Sequence, residues 1–395
     1  MAGIYLHIPF CKRRCIYCDF YSTTCIDKQK AYVDALCNEI KLRKDYLKIN
    51  NQNPIIETIY IGGGTPSTLS RKHIETLLDT IFSTYEVSPQ AEITMEANPD
   101  DLTGVNPLDI RYLPINRMSL GIQTFDDHQL RFLNRRHTGQ QAIEAIIRCK
   151  EQGVENISID LIYGLPGQNL SDWEKELETA IKMDIKHISA YSLIYEEGTP
   201  LWNMRMQHLV KEAEEDISLK MFTSLIQHLE EAGFEHYEIS NFARPGHRSR
   251  HNSSYWKGVA YLGCGTSAHS FDGNNRQWNI ADLDSYISHV SQCTTINDFI
   301  HASWIEKEEL TLYEKYNDRI ITALRTSDGL DLDKLQSDFG TRLKDYCLHT
   351  ANRHLQNGIL ENIKKNEQSL GLLKLTRQGL FLSDGIMSDL LFVED

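Results

Sequence analysis

The chain lacks any run of about 18 uninterrupted apolar residues, so no helix is expected to span a bilayer. Positive charge is in deficit: Lys and Arg number 41 against 55 Asp and Glu, a formal net charge of −14, and only short basic runs such as Lys12-Arg13-Arg14 and Arg244 to Arg250 occur. A surface that holds phosphate backbones needs the opposite balance, so nucleic acid is not an expected partner. The first residues lack the basic segment, long apolar stretch and small-residue cleavage site of a secretory leader. The nine cysteines are odd in number and bunched toward one end, which makes a poor disulfide framework and suits a reduced compartment. Internal repeats and low-complexity segments are also missing. Together these absences predict a cytoplasmic protein with an ordinary core, in keeping with 41% hydrophobic and 24% charged residues.

What is present is an alternation. The runs GIYLHI, TIYIGG, AEITMEA, RMSLGI, ISIDLIY and HISAYSL read as six buried strands. Between them, helical periodicity covers residues 28–44, 71–85, 140–152 and 171–183. Repeated strand and helix imply parallel strands joined by right-handed crossovers, and six units predict an α/β fold, a partial (β/α)6 TIM-type barrel with an open side. Polar residues gather at or near the downstream ends of these strands: the glycine turn after the second, then Glu96, Gln123 and Asp160. In barrels of this kind the site forms at that end.

Beyond Tyr195 the rhythm changes. A periodic helix is expected over 212–232, followed by an irregular segment, and the stretch from Trp304 to Asp395 reads as a smaller α+β region ending in a winged-helix-like module. The expected units are 1–240 for the core, 241–303 for a connecting segment that contains HNSSYW, and 304–395 for the C-terminal domain.

The sharpest local feature is HIPFCKRRCIYCDF, which places Cys11, Cys15 and Cys18 within eight positions, with Phe20 where a fourth thiol would follow. Structural zinc takes four ligands, usually as two separated pairs, and no second pair stands downstream. A redox C-x-x-C would sit alone, and covalent haem attachment would need His in place of Asp19. Thiolates suit iron–sulfur clusters, and three of them on a four-iron cluster leave one iron open to another ligand. The remaining six, Cys25, Cys37, Cys149, Cys264, Cys293 and Cys347, stand at no ligand spacing and read as packed apolar residues.

The C-x3-C-x2-C spacing on a loop after a first strand resembles the signature of the radical SAM superfamily. That resemblance implies that Cys11, Cys15 and Cys18 hold a [4Fe-4S] cluster, whose open iron binds S-adenosylmethionine and delivers an electron that cleaves it to a 5′-deoxyadenosyl radical. Within YIGGGTPS, Gly63, Gly64 and Thr65 match the element that bonds the methionyl amino group, and Tyr5 matches a tyrosine near the cofactor. Alone, such a turn is explained equally well by tight packing, and Tyr5 by strand packing. Arg135 suits the cofactor carboxylate, with Arg136 as its adjacent competitor, and Glu96, Gln123 and Asp160 suit the nucleoside hydroxyls.

The motifs YLHIPFC, CIYCDF, GGGTPS, MEANPD, SLGIQTFDD, LNRRH, DLIYGLPGQ and YEISNFA together resemble the coproporphyrinogen-III-oxidase-like branch along essentially the whole chain. Two kinds of member fit. One is an oxygen-independent coproporphyrinogen III dehydrogenase, a radical enzyme that decarboxylates two propionates. The other is a haem chaperone that binds haem and delivers it. Three features favour the chaperone: a cysteine motif that starts at residue 11 without the dehydrogenase's preceding extension, Phe20 in place of its fourth cysteine, and HNSSYW in the chaperone pattern HNxxYW. The resemblance implies haem as a cofactor, with His251 as a candidate axial ligand and His247, His269 and Cys264 as alternatives. It also implies a reductant protein and haem-recipient proteins as partners, membrane-associated recipients among them. Whether the protein is an enzyme stays open at this point, and a radical enzyme with another substrate is a third reading.

Overall fold

The computed structural model describes residues 2–48, 52–300, 304–364, 366 and 369–394. Six strands run parallel and side by side in chain order: β1 (Ala2–Ile8), β2 (Ile56–Gly63), β3 (Val87–Ala97), β4 (Arg117–Gln123), β5 (Asn156–Tyr163) and β6 (His187–Ser192). Helices Gln29–Leu42, Arg71–Thr84, Gly139–Glu151 and Leu170–Lys182 link them, each within two residues of its expected bounds. Their starts are chemically marked: Thr138 with Gln141, and Asn169 with Asp172, form reciprocal capping boxes that satisfy the first free N–H groups. Ile4, Leu6, Ile8, Ile59, Ile61 and Met95 are buried in the main core, and the intervening Tyr5, Tyr60 and Glu96 meet one another on the other face.

The partial barrel holds as expected, and the sheet extends past it on both sides. Beyond β6 come β7 (Glu235–Glu238) and β8 (Asn241–Ala243), with β8 antiparallel to β6. On the other side β9 (Tyr261–Cys264) pairs parallel to β1, and β10 (His269–Phe271), β11 (Asn275–Asn279) and β12 (Ile305–Glu309) follow antiparallel. The twelve strands run in the order β12-β11-β10-β9-β1-β2-β3-β4-β5-β6-β8-β7, an open and mostly parallel arrangement. The segment expected to be irregular therefore carries four of these strands and a helix, Arg250–Trp256. Strands of three or four residues are too short to show an alternating pattern. The expected boundary at 240/241 falls in the β7–β8 turn, and that at 303/304 adjoins residues 301–303, which lie outside the described residues.

A buried ion pair fastens the β9 side. Glu39, on the first long helix, and Arg43, the residue that caps its C-terminus, lie 3.1 Å apart. Glu39 accepts from Gly265 N, Asn279 Nδ2 and Tyr286 Oη, while Arg43 donates to Gly263 O and Ser270 Oγ. Every acceptor of the carboxylate that this pair buries is therefore answered, as burial of charge requires.

The C-terminal unit has its own core, including Tyr316, Ile320, Leu343 and Leu373. Helix Leu312–Leu324 precedes β13 (Leu330–Asp331), a helical stretch Leu332–Gln356 broken at Gly340, then β14 (Leu360–Ile363) and β15 (Leu372–Leu375). The three strands form an antiparallel sheet in the order β13-β15-β14. Among the described residues, no helix is long and apolar enough to cross a membrane.

Candidate functional site

The loop that leaves β1 is tied down before it reaches its cysteines. Cys11 N donates to Thr23 O at 2.8 Å and Thr23 N to Pro9 O at 2.7 Å. Asn134 Nδ2 holds Arg14 O at 2.7 Å, and Lys12 reaches Asp101 at 2.6 Å. The loop so held carries Cys11, Cys15 and Cys18 to one wall of a cleft of about 460 Å³ at the carboxyl ends of the parallel strands.

Among the described residues no three His, Cys, Asp or Glu side chains converge tightly enough to hold a single metal ion. Three thiols that do not converge on one point suit a multi-iron cluster, whose ligands sit on separate irons, better than a lone tetrahedral ion. Burial pushes the Cys11 thiol up and the Cys18 thiol up to about 11. Both are neutral at pH 7 when free, so taking up iron there releases protons. Cys11 Sγ lies 3.4 Å from Thr65 Oγ1, and Arg135 Nη1 donates to Cys15 Sγ at 3.3 Å.

The glycine turn lines the cleft beside the cysteine loop with Gly63, Gly64 and Thr65. Gly63 has φ of 110°, and a Cβ there would lie 2.7 Å from the His7 ring. A Cβ on Gly64 would meet the Pro9 carbonyl carbon at 2.8 Å, so both glycines let the turn lie flat against the exit of β1. Glu96 braces this turn from β3, accepting from Gly63 N at 3.1 Å and from Tyr60 Oη at 2.7 Å. Burial raises Glu96 to about 7 against those two bonds, and raises Asp160 to about 6 against the field of Arg117.

Gln123 lines the cleft at the last position of β4 with φ of 71°, a left-handed conformation that few side chains adopt and that marks stored backbone strain. Arg135 also lines the cleft, donating to Asn98 Oδ1 at 2.6 Å and to Gly121 O, while its buried Nε has no partner. Its competitor Arg136 is spent elsewhere, on Asp100 at 2.8 Å and Asp101 at 3.1 Å, and does not line the cleft. A donor left over in a buried guanidinium is what a carboxylate ligand would answer.

Tyr5 stands one layer back. Its hydroxyl meets His7 Nδ1 at 3.0 Å and its ring packs against Tyr60 and His251 at 6.1 and 6.5 Å. His251 is 1% exposed, and both ring nitrogens are engaged, Nδ1 with Thr58 Oγ1 and Nε2 with Tyr255 Oη, each at 2.8 Å. Burial pushes the imidazole down to about 3. Glu92 caps its helix by accepting from Arg250 N and His251 N, as favours a carboxylate at a helix N-terminus. Thr58 and Glu92 lie upstream in β2 and β3, so the HNSSYW helix plugs the amino end of the barrel, opposite the cysteine loop. The expected haem ligand thus presents no lone pair to the cleft. Cys264, His247 and His269 are not among its lining residues either.

Sequence reasoning missed Tyr60, Asn98, Arg117 and Asn252, all of which line the cleft. Arg117, 1% exposed at the start of β4, was signalled only by a charge opening an apolar run.

Residues 5–180 match the Radical SAM superfamily. Over 387 residues the chain is 31% identical to the protein of Bacillus subtilis (strain 168) named heme chaperone HemW, covering 98% of each. A HemW of Synechocystis sp. is 37% identical over 70% of this chain and 67% of that one. The bovine mitochondrial radical S-adenosyl methionine domain-containing protein 1 is 30% identical over 96% and 83%. Among solved structures, coproporphyrinogen III oxidase (HemN) of Escherichia coli superposes with a TM-score of 0.79 over 99% of this chain and 90% of that one; at 22% identity this likeness concerns the fold. Similarity along nearly the full length of both chains, around a cysteine loop and glycine turn that face one cleft, means that the chain belongs to the HemW family of radical SAM proteins.

Proposed function

We propose that the protein is a haem chaperone, which binds haem alongside a [4Fe-4S] cluster and S-adenosylmethionine and passes the haem to recipient proteins. The observation that carries this reading is the match over 98% of both chains to a protein named heme chaperone HemW. The cleft chemistry agrees with it. Cys11, Cys15 and Cys18 would hold the cluster, with the Thr65 hydroxyl and the Arg135 guanidinium beside two of the sulfurs. Gly63, Gly64 and Thr65 would meet the amino group of S-adenosylmethionine and Arg135 its carboxylate, with Glu96, Gln123 and Asp160 toward the nucleoside. When bound, the cluster and S-adenosylmethionine supply one-electron chemistry.

The chain's own residues orient these groups. Arg135 places its guanidinium 3.3 Å from the Cys15 sulfur and so helps fix where that side chain points. Glu96 holds the glycine turn in the shape that presents its backbone. Tyr60 lines the cleft and donates to Glu96 at 2.7 Å, which fixes that carboxylate's orientation. A reductant protein, recipients that include membrane-associated ones, and a cytoplasmic setting complete the reading.

The test is anaerobic reconstitution of the whole chain, followed by haem titration, transfer of the haem to an apo-haemoprotein, and an assay of coproporphyrinogen III decarboxylation on the same sample. Retained and transferable haem without decarboxylation is the expected result. Turnover to protoporphyrinogen IX at the rate of a true dehydrogenase would replace the chaperone reading with the enzymatic one.

A further inference from the structure

The proposed function asks for a place for haem besides the place for S-adenosylmethionine on a cluster. Pockets that take one drug-sized ligand run roughly from 300 to 1,000 Å³. At about 460 Å³ this cleft lies in the lower half of that range, a size for one such ligand. His251, at the barrel's amino end, offers no lone pair. Haem therefore needs another surface.

The lip of the same cleft has an unusual composition. Phe20 is 66% exposed, Ile194 62% and Tyr191 41%, and all three line the opening. Large apolar side chains gathered at one opening mark a binding surface more often than a chance exposure. Beside them Arg13 and Arg14, between the first and second cysteines, also line the cleft, and neither side chain has an ion-pair partner among the described residues. Asp19 and Glu196 are the acidic groups on the lip.

We infer that haem docks across this lip, with its macrocycle on Phe20, Tyr191 and Ile194 and its two propionates on Arg13 and Arg14. The complementarity is specific to an amphiphilic dianion. A flat apolar ring covers the exposed side chains, its carboxylates pair with the free guanidiniums, and Asp19 and Glu196 repel the acidic edge and so fix its direction. Arg13, Arg14 and Phe20 belong to the cysteine loop itself, so haem on the lip sits beside the cluster and S-adenosylmethionine and their occupancy is felt at the haem. This inference rests on the haem-chaperone reading and adds the location and orientation of the ligand.

The experiment titrates the reconstituted full chain with ferric haem and with its dimethyl ester, following the Soret band and the rate of release to apomyoglobin. The ester, whose propionates are uncharged, should bind wild type about fivefold more weakly than haem, the scale of exposed ion pairs. Arg13→Ser with Arg14→Ser should lower haem affinity by a similar factor and abolish the preference for haem over its ester. Phe20→Ser with Ile194→Ser should lower affinity for both by about tenfold, in line with the apolar area they lose. Cluster absorbance checks that each variant is intact, and if a variant loses its cluster the ester comparison on wild type decides. Wild-type affinity in both double variants, or equal binding of haem and ester by wild type, overturns the lip assignment while leaving the chaperone reading standing. Absence of saturable haem binding by wild type overturns the chaperone reading itself. Loss of a haem-independent dimer on Phe20→Ser would instead assign the lip to a second copy of the chain and also overturn the inference.

Discussion

Two buried groups near the cleft show how one residue's surroundings set its behaviour. Glu96 is raised to about 7 from an ordinary 4.5, mainly by burial. An acid raised in the folded state binds its proton more tightly there than in the unfolded chain. The stability it contributes is therefore complete below about pH 4.5, falls as the pH rises to about 7, and is level beyond. Glu96→Gln should remove roughly 3 kcal/mol of this decline, from a difference of about 2.5 units at 1.36 kcal/mol each. Denaturant unfolding at a series of pH values checks it, and an unchanged slope between pH 4.5 and 7 would refute the assignment. His251 makes the contrasting case. Its two ring bonds hold the hydroxyls of Thr58 and Tyr255 in a buried place. His251→Ala should cost roughly 2–4 kcal/mol through two stranded hydroxyls and a small cavity, and should leave the Soret band of bound haem unmoved. A displaced Soret band would restore the imidazole as an iron ligand.

At the scale of elements, the cysteine loop depends on a short helix that the sequence did not announce, Pro99–Thr103. Its Asp101, with a side chain 1% exposed, accepts from Lys12 at 2.6 Å, Arg136 at 3.1 Å and Ser67 at 2.8 Å, and so joins three segments. Lys12 is half exposed, so its pair is weak alone, but it sits next to Cys11. Asp101→Asn keeps the volume and halves the reach of the acceptor. We expect iron to leave a reconstituted variant about fivefold faster under a chelator while the strands stay folded, a modest loosening of the loop. A wild-type rate of iron loss would show that the loop holds itself. The helices were legible because three turns of amphipathic pattern repeat a local rule. The helix at 99–103 was not, because five residues hold too little of that pattern.

Across the whole molecule, several guanidiniums join the barrel side to the C-terminal unit, and Arg325 is the one that meets a buried carboxylate. Arg325 donates through Nε and Nη2 to Glu238 Oε1 at 3.1 and 2.9 Å, and its charge lies 5.4 Å from the Trp256 ring centre. The Glu238 side chain is 1% exposed and also accepts from Ser240 N and Asn241 Nδ2. Arg325→Met should leave that carboxylate short of one partner, at roughly 2–3 kcal/mol. Because the C-terminal unit has a separate core, we expect the loss as an earlier unfolding of residues beyond Leu312, detectable by limited proteolysis. Cleavage that starts in the barrel at the same denaturant concentration would contradict this arrangement.

The spacing of Cys11, Cys15 and Cys18, the six strand runs, the four long helices and the polar residues near strand ends could all be read from the chain, because each depends on neighbours within a few positions. The pairing of β9 with β1, the choice of Arg135 over Arg136 at the cleft, the buried Arg117 and the placement of HNSSYW at the amino end of the barrel could not. Each of these depends on which distant residue supplies the partner: Tyr261 for Gly3, Asp101 for Arg136, Thr58 for His251. Two adjacent arginines are alike in sequence, and only the packed chain decides that one meets a pair of carboxylates and the other a thiol, because that choice is made by contacts between segments far apart along the backbone.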